Sequence, residues 1–106
     1  MAGKLDGQHA FISGGGSGIG LACARAFLAD GARVTIVGRS REKLDRALEQ
    51  LGGLGQADAL TADVASEDAV RDALEAANAA SPLTIAVSAV SVSVRSSMLA
   101  FMILHL

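Results

Sequence analysis

The stretch that most restricts how this chain can fold is Phe11-Ile12-Ser13-Gly14-Gly15-Gly16-Ser17-Gly18-Ile19-Gly20, where five of the seven residues from Gly14 to Gly20 are glycine. It reads as the end of a buried strand, a glycine-rich turn and the first turn of a helix. Glycine reaches positive φ without strain and has no Cβ to hold a ligand away from the main chain. After the turn, Ile19, Ala22, Cys23, Ala26 and Phe27 recur at intervals of three and four, which predicts a helix with those residues along one apolar stripe. A helix that starts at such a turn aims free N–H groups and the positive end of its dipole into it. A phosphate is therefore the expected ligand, and a flexible glycine linker is the weaker reading, because strand and helix patterns flank the glycines.

The rest of the chain repeats that strand-helix alternation. Gln8 to Ser13 reads as the first strand after a polar lead, and the helix beyond the turn runs to Ala29 or Asp30 with Gly31 as its stop. Arg33-Val34-Thr35-Ile36-Val37 is short and β-branched, the second strand. Ser40 is placed to cap a second helix with Leu44, Ala47, Leu48 and Leu51 inward, ended by Gly52, Gly53 and Gly55. Asp58 to Thr61 is a third strand and Asp63-Val64 a loop. Ser66 caps a third helix that turns Val70, Ala73, Leu74 and Ala77 inward, and a fourth strand begins near Leu83, after Pro82. Successive βαβ units imply parallel strands, right-handed crossovers and helices on both faces. The expected fold is thus α/β, a doubly wound parallel sheet of about four strands and three helices with an apolar carboxyl-terminal element.

The glycine spacing narrows the class of phosphate site. A Walker-type loop is excluded, since Leu21 stands where its lysine is needed after Gly15 and Gly20. The six-residue G-x-G-x-x-G fingerprint also fails, because Ile19 takes the place of its last glycine. The spacing present is G-x-x-x-G-x-G at Gly14, Gly18 and Gly20. Within Ile12 to Gly20 it resembles the short-chain dehydrogenase/reductase family, and the resemblance runs from about Lys4 to about Pro82, where it weakens.

The resemblance implies a Rossmann-type sheet that binds NAD or NADP, and it distributes the roles. Gly14 would permit the tight turn, Gly18 the approach of the pyrophosphate and Gly20 the contact of helix with sheet. The N–H groups around Ser17 and Ile19 would meet the phosphates, with the Ser17 hydroxyl adding a bond or simply capping the helix. The family's acidic ribose position falls on Gly38, which cannot select NAD, while Arg39 stands where NADP-using members often carry a basic side chain. A guanidinium suits a 2′-phosphate, and Ser40 and Arg41 would assist, so NADP is preferred over NAD. Asp63-Val64 matches the family's Asp-Val pair at the adenine. On residues alone, Arg39 reads equally as a solvated loop arginine and Asp63 as a loop acid beside a helix start.

Composition bounds the remaining possibilities. At 106 residues and a formal charge of −2, the chain is one small domain, without a basic tract or nucleic-acid motif. The single cysteine, Cys23, reads as a small core residue in a cytoplasmic protein. His9, expected at the rim of the first strand, and His105, near the terminus, make a poor metal set, so no metal is expected. By the same resemblance, residues 1–82 would form the dinucleotide-binding units and residues 83–106 a fourth strand and apolar tail completing or extending the same domain. Residues 83–106 carry Arg95 as their only side chain charged at any ordinary pH, and interspersed serines argue against a membrane helix there.

Catalysis in the family takes a tyrosine, a lysine four residues later and a serine. This chain has no tyrosine, and Lys4 and Lys43 lie outside such a spacing, so no residue is nominated as catalytic. Ser88-Ala89-Val90-Ser91 stand where the family has Asn-Asn-Ala-Gly. The expectation is the cofactor-binding half of an oxidoreductase, truncated or frame-altered after Pro82. The alternatives are a non-catalytic nucleotide-binding module or a self-associating one. Alternating Val90, Val92 and Val94 could fill the sheet edge within one subunit or between two, and a homo-oligomer is the expected partner state.

Overall fold

A computed structural model of the protein describes residues 3–14 and 18–88. Within them lie β1 (His9–Ser13), α1 (Gly18–Ala29), β2 (Arg33–Gly38), α2 (Arg41–Leu51), β3 (Ala57–Thr61), α3 (Glu67–Ala80) and β4 (Ile85–Ser88). The strands form one parallel sheet in the order β3-β2-β1-β4. This is the Rossmann-like α/β arrangement the alternation predicts. Expected features at Ser17, at Val90, Val92 and Val94, and elsewhere beyond Ser88 lie outside the described residues.

The alternation of side chains along the strands sorts the core into two layers. Ala10, Ile12, Val34 and Ile36 face one way and join Ala24 and Leu28 of α1 with Leu44, Ala47 and Leu51 of α2. Phe11 and Val37 face the other way, against Ala73 and Ala77 of α3. Each face of β1 and β2 is therefore covered, which is what lets a parallel sheet bury these apolar runs.

Helix α1 corrects the expected stripe. It turns Gly20, Ala24 and Leu28 to the sheet, whereas Ala22 and Ala26 are exposed and Ile19 keeps 74% of its surface open. Cys23 and Phe27 are half-buried at the flank of the core. The helix is apolar nearly all round, so three- and four-residue spacings fit more than one face, and contact with the sheet selects the one bearing Gly20. Its end is as expected: Gly31 adopts φ 94°. Its N–H donates to Leu28 O at 3.0 Å, and the Ala32 N–H donates to Phe27 O at 3.0 Å. These two bonds close a Schellman motif, which needs a left-handed residue at Gly31.

His9 is the second correction. It is 1% exposed rather than at the rim. Its Nδ1 lies 2.8 Å from the Ser81 carbonyl and its Nε2 2.7 Å from Thr35 Oγ1. A carbonyl only accepts, so Nδ1 carries the proton and Nε2 accepts from the Thr35 hydroxyl. The polar neighbours of β2 and of the segment after α3 make burial of this imidazole possible, and neither is adjacent to it in sequence.

Candidate functional site

All four strands point the same way, so their carboxyl ends share one edge. β1 connects through α1 to β2 on one side, whereas β4 lies on its other side. The end of β1 is thus where the winding reverses, the place at which open α/β sheets leave a crevice for ligands. Gly14 occupies that point. Its N–H donates to Val37 O at 2.7 Å, and Ser13 pairs with Val37 of β2 and Ser88 of β4.

The groups named from sequence follow one another across this edge. Gly38 pairs with Thr61, and Ala62 N–H donates to Gly38 O at 2.9 Å. Gly14, Gly38 and Ala62 therefore end three neighbouring strands, and at the usual strand spacing that row covers about 10 Å. Arg39 and Asp63 each extend one residue beyond it. Both are exposed, and among the described residues the Arg39 guanidinium has no ion-pair partner.

The two ends of the turn, Gly14 and Gly18, and the start of α1 are compatible with a phosphate. Gly14 has φ 79° and Gly18 φ 59°, a region unfavourable to residues with a Cβ. A Cβ placed on Gly18 would meet nothing within 4 Å among the described residues. α1 has no acid in its first turn, whereas α2 has Glu42 and α3 has Glu67 and Asp68. α2 and α3 are also capped by serine, Ser40 Oγ accepting from Lys43 N and Ser66 Oγ from Ala69 N, each at 3.2 Å. The first-turn N–H groups of α1, those of Gly18, Ile19 and Gly20, have no intrahelical acceptor, and no cap to them is present among the described residues. Gly20 lies on the buried side of the helix.

Other candidates are partly engaged. Ser40 uses its oxygen to accept from Lys43 but keeps its O–H to donate. Arg41, expected to assist Arg39, pairs with Asp45 at 3.0 Å and donates to Ala59 O at 3.4 Å. That competition was readable from the i,i+4 spacing of Arg41 and Asp45. Asp63 Oδ1 accepts from Ala65 N at 3.0 Å, which leaves its other oxygen free of partners among the described residues. Val64 is half-buried against the cluster under α3, so only part of its surface faces the edge.

Comparison with known proteins agrees with this geometry. A family model described as short chain dehydrogenase matches residues 8–101, beyond the Pro82 limit of the sequence resemblance. Galactitol 2-dehydrogenase (L-tagatose-forming) of Cereibacter sphaeroides is 40% identical over 90 residues, covering 85% of this chain and 35% of the relative. A 3-dehydrosphinganine reductase of Arabidopsis thaliana is 44% identical over 73 residues, 67% of this chain and 22% of its own. Among solved structures, the Pseudomonas aeruginosa RhlG/NADP active-site complex superposes with a TM-score of 0.72 at 35% identity, covering 77% of this chain and 32% of that one. L-Sorbose reductase from Gluconobacter frateurii, complexed with NADPH and L-sorbose, gives a TM-score of 0.77 at 28% identity, over 87% and 36% of the respective chains. The chain thus spans about a third or less of the length of these proteins. With the turn, the sheet order and the family match in agreement, the chain belongs to the short-chain dehydrogenase family, whose members bind NAD or NADP.

Proposed function

We propose that this chain binds a nicotinamide dinucleotide along the carboxyl edge of its sheet, NADP in preference to NAD, as the cofactor-binding portion of an oxidoreductase acting on a carbonyl or alcohol. The observation that carries the reading is the start of α1, a glycine turn at the winding reversal with no acid in the first turn. The diphosphate would rest on the N–H groups from Ser17 to Gly20, with Gly14 and Gly18 keeping side chains out of its way. Arg39, beside a Gly38 that offers no carboxylate to a ribose, would take the 2′-phosphate, helped by the Ser40 hydroxyl. Asp63 and the open part of Val64 would receive the adenine. Two structural neighbours hold NADP or NADPH, which supports the preference.

The nicotinamide, once bound, supplies hydride exchange with a carbonyl or alcohol carbon. This chain has no tyrosine to protonate the resulting alkoxide, and its two lysines, Lys4 and Lys43, lie far from a family-like pair. Binding without turnover is therefore expected of it. Among the described residues no helix is long and apolar enough to cross a membrane, and the lone cysteine fits a cytoplasmic setting.

Calorimetric titration with NADP and NAD tests this reading. It predicts saturable binding of both, NADP tighter. Binding of neither ends the proposal, and hydride transfer catalysed by this chain alone would overturn the assignment of binding without turnover.

A further inference from the structure

The start of α2 holds a charge that the dinucleotide reading does not use. Four cations fall between the end of β2 and the middle of α2: Arg39, Arg41, Lys43 and Arg46. Arg41 is matched by Asp45 at 3.0 Å and Arg46 by Glu42, both through the i,i+4 spacing. Lys43 has no acid at that spacing, since Arg39 stands four residues before it and Ala47 four after. It is exposed, and among the described residues it has no ion-pair partner. An unpaired cation in the first turn of a helix opposes the positive end of the dipole. A residue type that works against its local structure in this way is expected at functional sites.

The fold shows where that charge is aimed. Leu44, Ala47 and Leu51 form the buried line of α2. Residues two apart on a helix lie about 160° from each other around its axis, so Arg41 and Lys43 stand on opposite flanks of that line. Arg41 donates to Ala59 O of β3 at 3.4 Å, which identifies its flank as the one over β3. The flank of Lys43 is then the one toward α1, which packs beside α2 on the same face of the sheet, over β1 and β2. A Cβ built on Gly38 would lie 3.5 Å from Leu44 Cδ2, so the residue next to Lys43 reaches the end of β2. Lys43 therefore stands at the carboxyl edge, on the side of the glycine turn.

We propose that Lys43 is a specificity-determining residue of this edge, forming with Arg39 a two-cation cradle for the 2′-phosphate of NADP. The inference rests on the dinucleotide reading and adds to it. A phosphate monoester carries about 1.5 to 2 negative charges at neutral pH, more than one guanidinium neutralises. Arg39 offers a planar fork of donors, whereas Lys43 offers a point charge on a flexible stem, which can follow the phosphate without fixing its orientation. Arg41 and Arg46 are committed to acids of their own helix. NAD, with a hydroxyl in place of that phosphate, gives Lys43 nothing to neutralise.

Parallel calorimetric titrations of the full chain with NADP and NAD test this. Lys43→Gln should weaken NADP about fivefold and leave NAD unchanged. Lys43→Arg should keep most of the NADP affinity. Arg46→Gln removes an equal charge from the exposed side of α2 and should leave both ligands as they are. Urea denaturation should find Lys43→Gln no less stable than the parent, because the cation removed was opposing the helix dipole. Unchanged NADP affinity in Lys43→Gln, an equal loss of NAD, or an equal loss from Arg46→Gln would overturn the proposal, and so would a lowered urea midpoint in Lys43→Gln. Binding of neither dinucleotide by the unaltered chain is a separate result, since it ends the dinucleotide reading and this inference with it.

Discussion

The two ends of this sheet are built to opposite rules. At the amino end the polar groups satisfy one another. The His9 N–H donates to Thr84 Oγ1 and the His9 carbonyl accepts from Thr84 N, both at 3.0 Å, while its ring bridges Ser81 and Thr35. At the carboxyl end, α1 begins without a first-turn acid, Arg39 has no ion pair among the described residues and Asp63 has one oxygen committed. Saturated groups stabilise a fold, and unsatisfied exposed ones remain available to a ligand. The contrast recurs within the carboxyl end itself, because α2 and α3 spend serine hydroxyls and acids on their own starts.

The largest effect should come from breaking the saturated end. His9→Ala leaves the Ser81 carbonyl and Thr35 hydroxyl without their partner and opens a cavity, a loss of about 3–4 kcal/mol. Urea denaturation should show it as a lowered midpoint. If NADP affinity fell as far as stability in protein that remains folded, the two ends would not be separable. Gly18→Val attacks the open end instead. A β-branched residue at φ 59° stores about 1–3 kcal/mol of strain, which corresponds to roughly 5–150-fold in NADP affinity where the bound turn must bear it. Calorimetry on the variant checks this, and full affinity would show that the turn does not hold the ligand.

Smaller changes sharpen the comparison. Arg39→Ala should weaken NADP by about tenfold, the scale of one charge-assisted bond, and leave NAD unaltered in parallel titrations. Equal effects on both would remove Arg39 from the 2′-phosphate. Ser66→Ala removes a cap of α3 and should lower stability by about 1 kcal/mol with no change in binding. Smallest is Asp58→Asn at the exposed Arg33 pair, expected to change stability by less than about 1 kcal/mol and to lose even that at high salt.

Much of this organisation is local and could be read in order along the chain. The serine caps at Ser40 and Ser66, the stop at Gly31 and the alternation of strand and helix each depend on a few neighbouring residues. The stripe of α1 could not be read that way, because Ile19, Ala22 and Ala26 are as apolar as Leu28 and differ only in what stands opposite. His9 gave no sign of burial, since its partners Thr35 and Ser81 are 26 and 72 residues away. Likewise the half-burial of Val64 depends on Phe11, Val37 and α3.

By itself the sequence determined that a strand hands over to a helix through glycines, that the strands are parallel, and that a basic residue follows the second of them. These are consequences of backbone freedom, capping chemistry and crossover handedness, all of which act over short stretches. The tertiary structure alone decided which face of α1 is inside and that an imidazole joins three segments. Those outcomes rest on groups distant in sequence competing for the same contacts, and such competition is resolved only when the sheet brings them together.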